Sequence, residues 1–110
     1  MKIRFGFVSN SSSTMFLIKN RTNKRKSLID FVLENPQLIK QYRKKYGTSY
    51  TQARLLYSAQ NNNFYIKAHE EKECVFGDSD GTIIGEVFDY ILREGGMSES
   101  FEWKFTNSMR

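Results

Sequence analysis

The feature that most constrains this chain is a pair of apolar runs that flank six consecutive polar residues near the N-terminus. The polar run covers residues 9–14 and consists of Ser, Asn and Thr, whose side chains bond nearby backbone and favour turns. The flanking Phe, Val and Ile residues suit the pleated surface of a sheet. We therefore predict strands at about residues 3–8 and 15–19, paired at the centre of a sheet and connected by the polar run.

Further along the chain, capping residues and apolar periodicity predict the other elements. Ser27 and Asp30 have the spacing of a capping box, Asn35-Pro36 ends one helix and starts the next, and Gly47 suits a left-handed helix end. Helices are expected over residues 27–34, 36–46, 51–60 and 82–94, and extended segments over residues 64–76 and 101–105. The predicted fold class is α+β. It is a single domain over residues 1–110, with a small, mostly antiparallel sheet that has the N-terminal strand pair at its centre and packs against three to four helices.

The same periodicity predicts which side of each helix faces the core. The predicted inner stripe is Leu38, Ile39, Tyr42 and Tyr46 for residues 36–46, and Ala53, Leu56 and Tyr57 for residues 51–60. For the helix over residues 82–94, Asp80 is the expected capping residue.

Composition limits the class of protein. The chain has 110 residues, of which 15% are aromatic, which suffices for one sizeable core. No run approaches the roughly 20 apolar residues that span a bilayer, and the basic start lacks the pattern of a signal peptide. Cys74 is the single cysteine, which excludes an internal disulfide framework and suits a reducing cytosol. We expect a cytoplasmic protein without a membrane partner.

Charge is unevenly distributed between the two halves of the chain. Residues 1–54 carry twelve Lys or Arg against two acids, and residues 55–110 carry five against ten, so charges of +10 and −5 give the net +5. Such asymmetry indicates a polyanionic partner. The alternative is that the acidic half lies beside the basic half in the folded domain and neutralises much of it.

Basic residues of the first half are the main candidate site. Cations grouped on one surface bind nucleic acid by neutralising phosphates, without reading its sequence. Tyr42 and Tyr46 interleave with these cations and could stack on bases, although tyrosines at helical spacing are often part of the core. A solvated basic face is the alternative. The candidate residues are Lys24, Arg25, Lys26, Lys40, Arg43, Lys44, Lys45 and Arg54.

The polar run is a second candidate, as a loop that contacts an anion or a partner. Hydroxyls and backbone N–H groups can cradle anions, but the run has no glycine and no Gly-Lys-Ser/Thr ending, so it is not a nucleotide-binding loop. The residues concerned are Ser9, Asn10, Ser11, Ser12 and Ser13.

Catalytic and metal-binding alternatives have weaker support. The segment Asp78-Ser79-Asp80-Gly81-Thr82 resembles the nucleophile loop of haloacid-dehalogenase-type phosphotransferases, but little chain follows it to complete such a site. Gly81 also stands too early for an EF-hand calcium loop. His69 and Cys74 are too few to bind zinc and are expected at the surface and in the core, respectively. We predict no catalytic residue, no metal and no cofactor.

The segment Gly6-Phe7-Val8-Ser9-Asn10-Ser11-Ser12-Ser13, followed by Phe16, resembles the N-terminal signature of small uncharacterised proteins of tailed bacteriophages and some bacteria. This chain departs from the signature at Thr14-Met15, where serine is more usual. The resemblance implies a phage or bacterial cytosolic setting and no particular activity.

Together these observations predict a non-enzymatic phage accessory protein that binds nucleic acid or an acidic host protein through its basic half. The alternatives are a minor structural component of the virion, in which copies or other phage proteins associate, and a magnesium-dependent phosphohydrolase that uses Asp78 and Asp80. The expected location is the host cell cytoplasm, or the virion for the structural alternative.

Overall fold

The computed structural model describes residues 13–77 and 81–108, which form four helices and six strands in an α+β arrangement. The predicted fold class is therefore confirmed. In chain order the elements are β1 (Ser13–Asn20), β2 (Lys26–Ser27), α1 (Leu28–Glu34), α2 (Gln37–Tyr46), α3 (Gln52–Asn61), β3 (Tyr65–Ile66), β4 (Glu71–Gly77), α4 (Ile83–Ile91) with a 3₁₀ turn at Leu92–Glu94, β5 (Gly96–Met97) and β6 (Phe101–Ser108).

The main sheet has four antiparallel strands in the order β4-β1-β6-β5, and a second, two-stranded sheet pairs β2 with β3. β1 lies at the centre, with Phe16 opposite Cys74 on β4 and opposite Phe105 on β6. The register of β1 with β6 shifts between Met15 and Phe16, where β6 carries a bulge. The strand expected at residues 3–8 lies outside the described residues.

The core lies between one face of this sheet and the helices, and Phe31 on α1 is at its centre. Phe31 is fully buried and meets Phe88, Phe101 and Trp103 edge-to-face, with ring centroids 5.1 to 5.5 Å apart. Burial of such a side chain contributes about 2–3 kcal/mol, and each edge-to-face pair adds about 1 kcal/mol. These contacts tie α1 to α4 and to β6.

The predicted helix ends are largely confirmed. Ser27 and Asp30 form the capping box, since each side chain accepts a hydrogen bond from the backbone N–H of the other residue. Gly47 ends α2 at φ +66° as predicted, whereas Pro36, expected as the first residue of that helix, is its N-cap, so α2 starts one residue later. The predicted cap of α4 is wrong: Thr82 and not Asp80 is the N-cap, since the Thr82 hydroxyl accepts the N–H of Gly85 in the first turn. Asp80 itself lies outside the described residues.

The predicted inner faces of two helices are partly wrong. On α2, Leu38, Ile39 and Tyr42 are buried as predicted, whereas the side chain of Tyr46 is 43% exposed. On α3 the buried residues are Leu55, Ser58 and Ala59, while Ala53 and Tyr57 are exposed. Ser58 faces inward because its hydroxyl accepts the N–H of Ile84 in the first turn of α4, where no backbone acceptor exists.

Candidate nucleic-acid interface

The outward side of α2 carries four cations: Lys40, Arg43, Lys44 and Lys45, which we call the basic α2 surface. Apolar residues at helical spacing hold the opposite side of α2 in the core, so these side chains project into solvent. Lys40, Arg43, Lys44 and Thr48 line a shallow, open depression of about 390 Å³. A depression of this size, bordered by cations, can receive a phosphate group.

Among the residues that the structure describes, three of these four cations have no acidic partner in ion-pair range. Within residues 13–77 and 81–108, Lys40, Arg43 and Lys44 have no carboxylate oxygen within 4.0 Å. Lys45 Nζ lies 3.8 Å from Glu94 Oε2, and because both side chains are mostly exposed this contact is weak. The acidic residues of the described ranges therefore form one weak ion pair with the basic α2 surface. Arg43, Lys44 and Lys45 in the last turn also stabilise α2 through their interaction with the helix dipole, by about 0.3–1 kcal/mol each. If the surface is only solvated and binds nothing, this stabilisation is their role.

A cluster of four tyrosines, Tyr42, Tyr46, Tyr50 and Tyr90, lies beside the basic α2 surface. Ring centroids are 4.8 Å apart for Tyr42 and Tyr46, 6.3 Å for Tyr42 and Tyr50, and 5.6 Å for Tyr46 and Tyr90. The cluster joins α2 to the following loop and to α4. The sequence indicated Tyr42 and Tyr46 but carried no signal for Tyr50 or Tyr90. Tyr90 comes close through the packing of α4 on α2, and Tyr50 through the loop that follows α2.

Glu86 on α4 fixes two of these tyrosines. The hydroxyls of Tyr42 and Tyr50 donate to its two carboxylate oxygens at 2.9 and 3.0 Å. Burial and the hydrogen bond to Glu86 raise the pKa of Tyr42, and the hydrogen bond to Glu86 together with burial raises the pKa of Tyr50. Both phenols therefore stay protonated at physiological pH, and each donates a hydrogen bond to the Glu86 carboxylate.

Cations also lie over three rings of this region. Lys45 Nζ is 5.7 Å from the ring centroid of Tyr46, Arg54 Cζ is 5.2 Å from that of Tyr50, and Arg93 Cζ is 4.9 Å from that of Tyr90. Arg54 comes from the first turn of α3, so the structure brings this predicted residue to the same region as α2. The four contacting rings therefore carry a cation over three of their number.

Lys24, Arg25 and Lys26 lie elsewhere, at the two-stranded sheet. Lys26 pairs with Ile66 across β2 and β3, and the Arg25 guanidinium lies 4.3 Å from the ring centroid of Tyr65. This sheet adjoins the C-terminal end of α3, whereas Arg54 belongs to its first turn. Because the ten residues of α3 span roughly 15 Å, the predicted basic residues form two separate groups.

The structure gives little information on the other predicted sites. Ser9, Asn10, Ser11 and Ser12, like Asp78 and Asp80, lie outside the described residues, and Ser13 begins β1 opposite Gly77. His69 is exposed and Cys74 is buried, as expected. Burial raises the pKa of the Cys74 thiol to about 12, which makes it a poor nucleophile. In the described ranges no three His, Cys, Asp or Glu side chains are grouped to hold a metal ion, and no helix there is both long and apolar enough to span a membrane.

One polar cluster was not predicted. The carboxylate of buried Asp89 accepts the Thr14 hydroxyl at 2.6 Å and Arg93 Nη2 at 2.8 Å, and Arg93 Nε donates to the Asp89 carbonyl at 2.6 Å. The cluster fastens the start of β1 to α4. Asp89 and Arg93 are four residues apart in the sequence, a spacing that favours ion pairs on a helix. From this spacing the ion pair could have been predicted.

Comparison with family models, curated proteins and solved structures finds no match for this chain. The resemblance of residues 6–13 to small phage proteins therefore stays a prediction.

Proposed function

We propose that this protein acts by binding rather than by catalysis, and that nucleic acid docks on the basic α2 surface. The observation that carries the proposal is that Lys40, Arg43 and Lys44 border one depression and, within the described ranges, have no carboxylate in ion-pair range. Three cations without acidic partners can each neutralise a phosphate without first breaking an ion pair.

The favourable free energy of binding would come from the release of counterions from the phosphate backbone. Each neutralised phosphate contributes roughly 0.7 to the slope of log affinity against log salt for a single strand, and roughly 0.9 for a duplex. Arg43 adds a planar guanidinium that can hold a phosphate through two hydrogen bonds. Arg54 and Lys45 would extend the attractive field on either side. Binding of this kind requires no metal and no cofactor.

The proposal is tested by charge reversal at Lys40 and Lys44, two exposed lysines four residues apart on α2. Fluorescence anisotropy with a labelled oligonucleotide should show that Lys40→Glu/Lys44→Glu weakens binding by roughly tenfold or more at low salt. The matched control is Lys67→Glu/Lys104→Glu, which makes the same change in net charge at two exposed lysines outside the surface. This control variant should bind the oligonucleotide with nearly the affinity of the wild type.

An equal loss of affinity in both double variants would mean that net charge alone is responsible, and would refute a specific surface. An acidic protein is attracted by the same cations. Binding of polyglutamate is therefore measured in parallel. Tight binding of polyglutamate without binding of the oligonucleotide would identify an acidic host protein, and not nucleic acid, as the partner.

The resemblance of residues 6–13 supports a setting for this function. A small phage protein that binds nucleic acid would work in the host cell cytoplasm, where phage DNA and RNA are present. Its presence in purified virions would instead favour the structural alternative.

A further inference from the structure

Tyr46 borders the basic α2 surface, where Lys45 Nζ lies 5.7 Å from its ring centroid, and 43% of Tyr46 is exposed. Its ring is supported by Tyr42, at 4.8 Å and 40°, and by Tyr90, at 5.6 Å and 50°. A ring with fixed neighbours and an accessible remainder loses little conformational freedom when a flat ligand stacks on it. Tyr46 is therefore prepared for a planar partner.

Cations lie over three rings of the tyrosine cluster, and because the Asp89 carboxylate holds Arg93, Arg54 and Lys45 are the two that remain for phosphates. Arg54 lies over Tyr50 on one side of the cluster and Arg93 over Tyr90 on another, with Lys45 at Tyr46 between them. Proteins bind single strands with cations placed beside aromatic rings, because cations attract phosphates and rings stack on unpaired bases.

Single and double strands differ in what they can offer Tyr46. The bases of a duplex stack on one another and present only their edges in the grooves, whereas a single strand can turn a base face outward. On a duplex the lysines and Arg43 would still contact phosphates, but the ring of Tyr46 would have no base to cover.

We propose, on the basis of the nucleic-acid-binding function above, that the ligand is a single strand. One base stacks on Tyr46 while neighbouring phosphates lie along Lys40, Arg43 and Lys44. No sequence preference is expected, because every base has a face that can stack.

The test compares a labelled oligothymidylate with a duplex of the same length under the same conditions, by fluorescence anisotropy. Wild type should bind the single strand roughly tenfold more tightly. Tyr46→Ala should lose roughly tenfold in affinity for the single strand and little for the duplex, while Tyr46→Phe keeps the wild-type values. Tyr65→Ala, which removes a 52%-exposed tyrosine at the other basic group, should change neither affinity.

The outcomes separate this inference from the proposed function. Equal affinity for both ligands, or single-strand affinity unchanged in Tyr46→Ala, overturns the inference, and the proposed function stands if Lys40→Glu/Lys44→Glu still weakens both. No binding of either ligand by folded wild type overturns both. Because Tyr46 packs on two other rings, folding is checked by circular dichroism. If Tyr46→Ala does not fold, Tyr46→Leu, which keeps apolar packing without a stacking ring, decides.

Discussion

Tyr46 on α2 and Tyr90 on α4 have ring centroids 5.6 Å apart, although 44 positions separate them in the sequence. This contact connects the cations of α2 with Arg93, which lies over Tyr90. The tyrosine cluster beside the basic α2 surface therefore depends on how α2 and α4 pack.

The buried Asp89 is expected to be essential for stability. Asp89→Ala removes the acceptor of Thr14 and Arg93 and leaves a guanidinium, whose side chain is only 32% exposed, without its carboxylate. Loss of one member of a buried ion pair costs about 3–5 kcal/mol, which we expect in urea unfolding followed by Trp103 fluorescence. Glu94→Ala, which removes an exposed carboxylate, should stay within about 0.5 kcal/mol of wild type. Similar values for both variants would contradict a structural role for this cluster.

Gly96 is expected to tolerate no side chain. A Cβ atom at this position would lie 2.5 Å from Cζ2 of Trp103, and the indole cannot retreat easily because it packs edge-to-face on Phe31. Gly96→Ala should cost about 1–3 kcal/mol and shift the emission of Trp103, the only tryptophan. Gly81→Ala is the comparison, since a Cβ there meets nothing within 4 Å and only the positive φ opposes it. Unshifted Trp103 emission in Gly96→Ala would show that the indole is not displaced.

Stability at acid pH should depend on Glu34. Burial would raise the pKa of its carboxyl, but hydrogen bonds from Ser98 and Ser100, together with the charge of Lys26, outweigh it and hold the pKa below the usual value. A carboxyl whose pKa is lower in the folded state stabilises the protein above its unfolded-state pKa, and this contribution is lost as pH falls through the folded-state pKa.

Chemical denaturation at a series of pH values checks this expectation. Wild type should lose stability more steeply than Glu34→Gln between about pH 5 and pH 3. Substitution of the exposed Glu99 by glutamine should leave the wild-type profile unchanged. Parallel profiles for wild type and Glu34→Gln would contradict the assignment.

Features with a local cause were predictable from the sequence. The capping box at Ser27 and the left-handed Gly47 depend on residues that are neighbours in the chain, and α1 and α2 begin and end close to the expected positions. The central position of β1 was also predictable, because its alternating Phe16 and Ile18 supply two fully buried side chains.

Features with a tertiary cause were not predictable. Ser58 faces inward to satisfy the N–H of Ile84, a requirement that the local pattern of α3 does not reveal. Tyr46 fits the apolar stripe of α2 by spacing, yet its amphipathic ring lies at the rim of the core against Tyr90. Similarly, the eight candidate basic residues all lie in the basic half of the sequence, but in the structure they form two separate groups, because α3 lies between them.

Whether the basic α2 surface binds nucleic acid through phosphates is decided by the salt dependence of oligothymidylate binding. For wild type, log affinity should fall linearly with log salt concentration, and Lys40→Glu/Lys44→Glu should reduce the magnitude of the slope by roughly 1.4, the value for two single-strand phosphates. A wild-type affinity that does not change with salt, or an identical slope in the variant, would contradict this mode of binding.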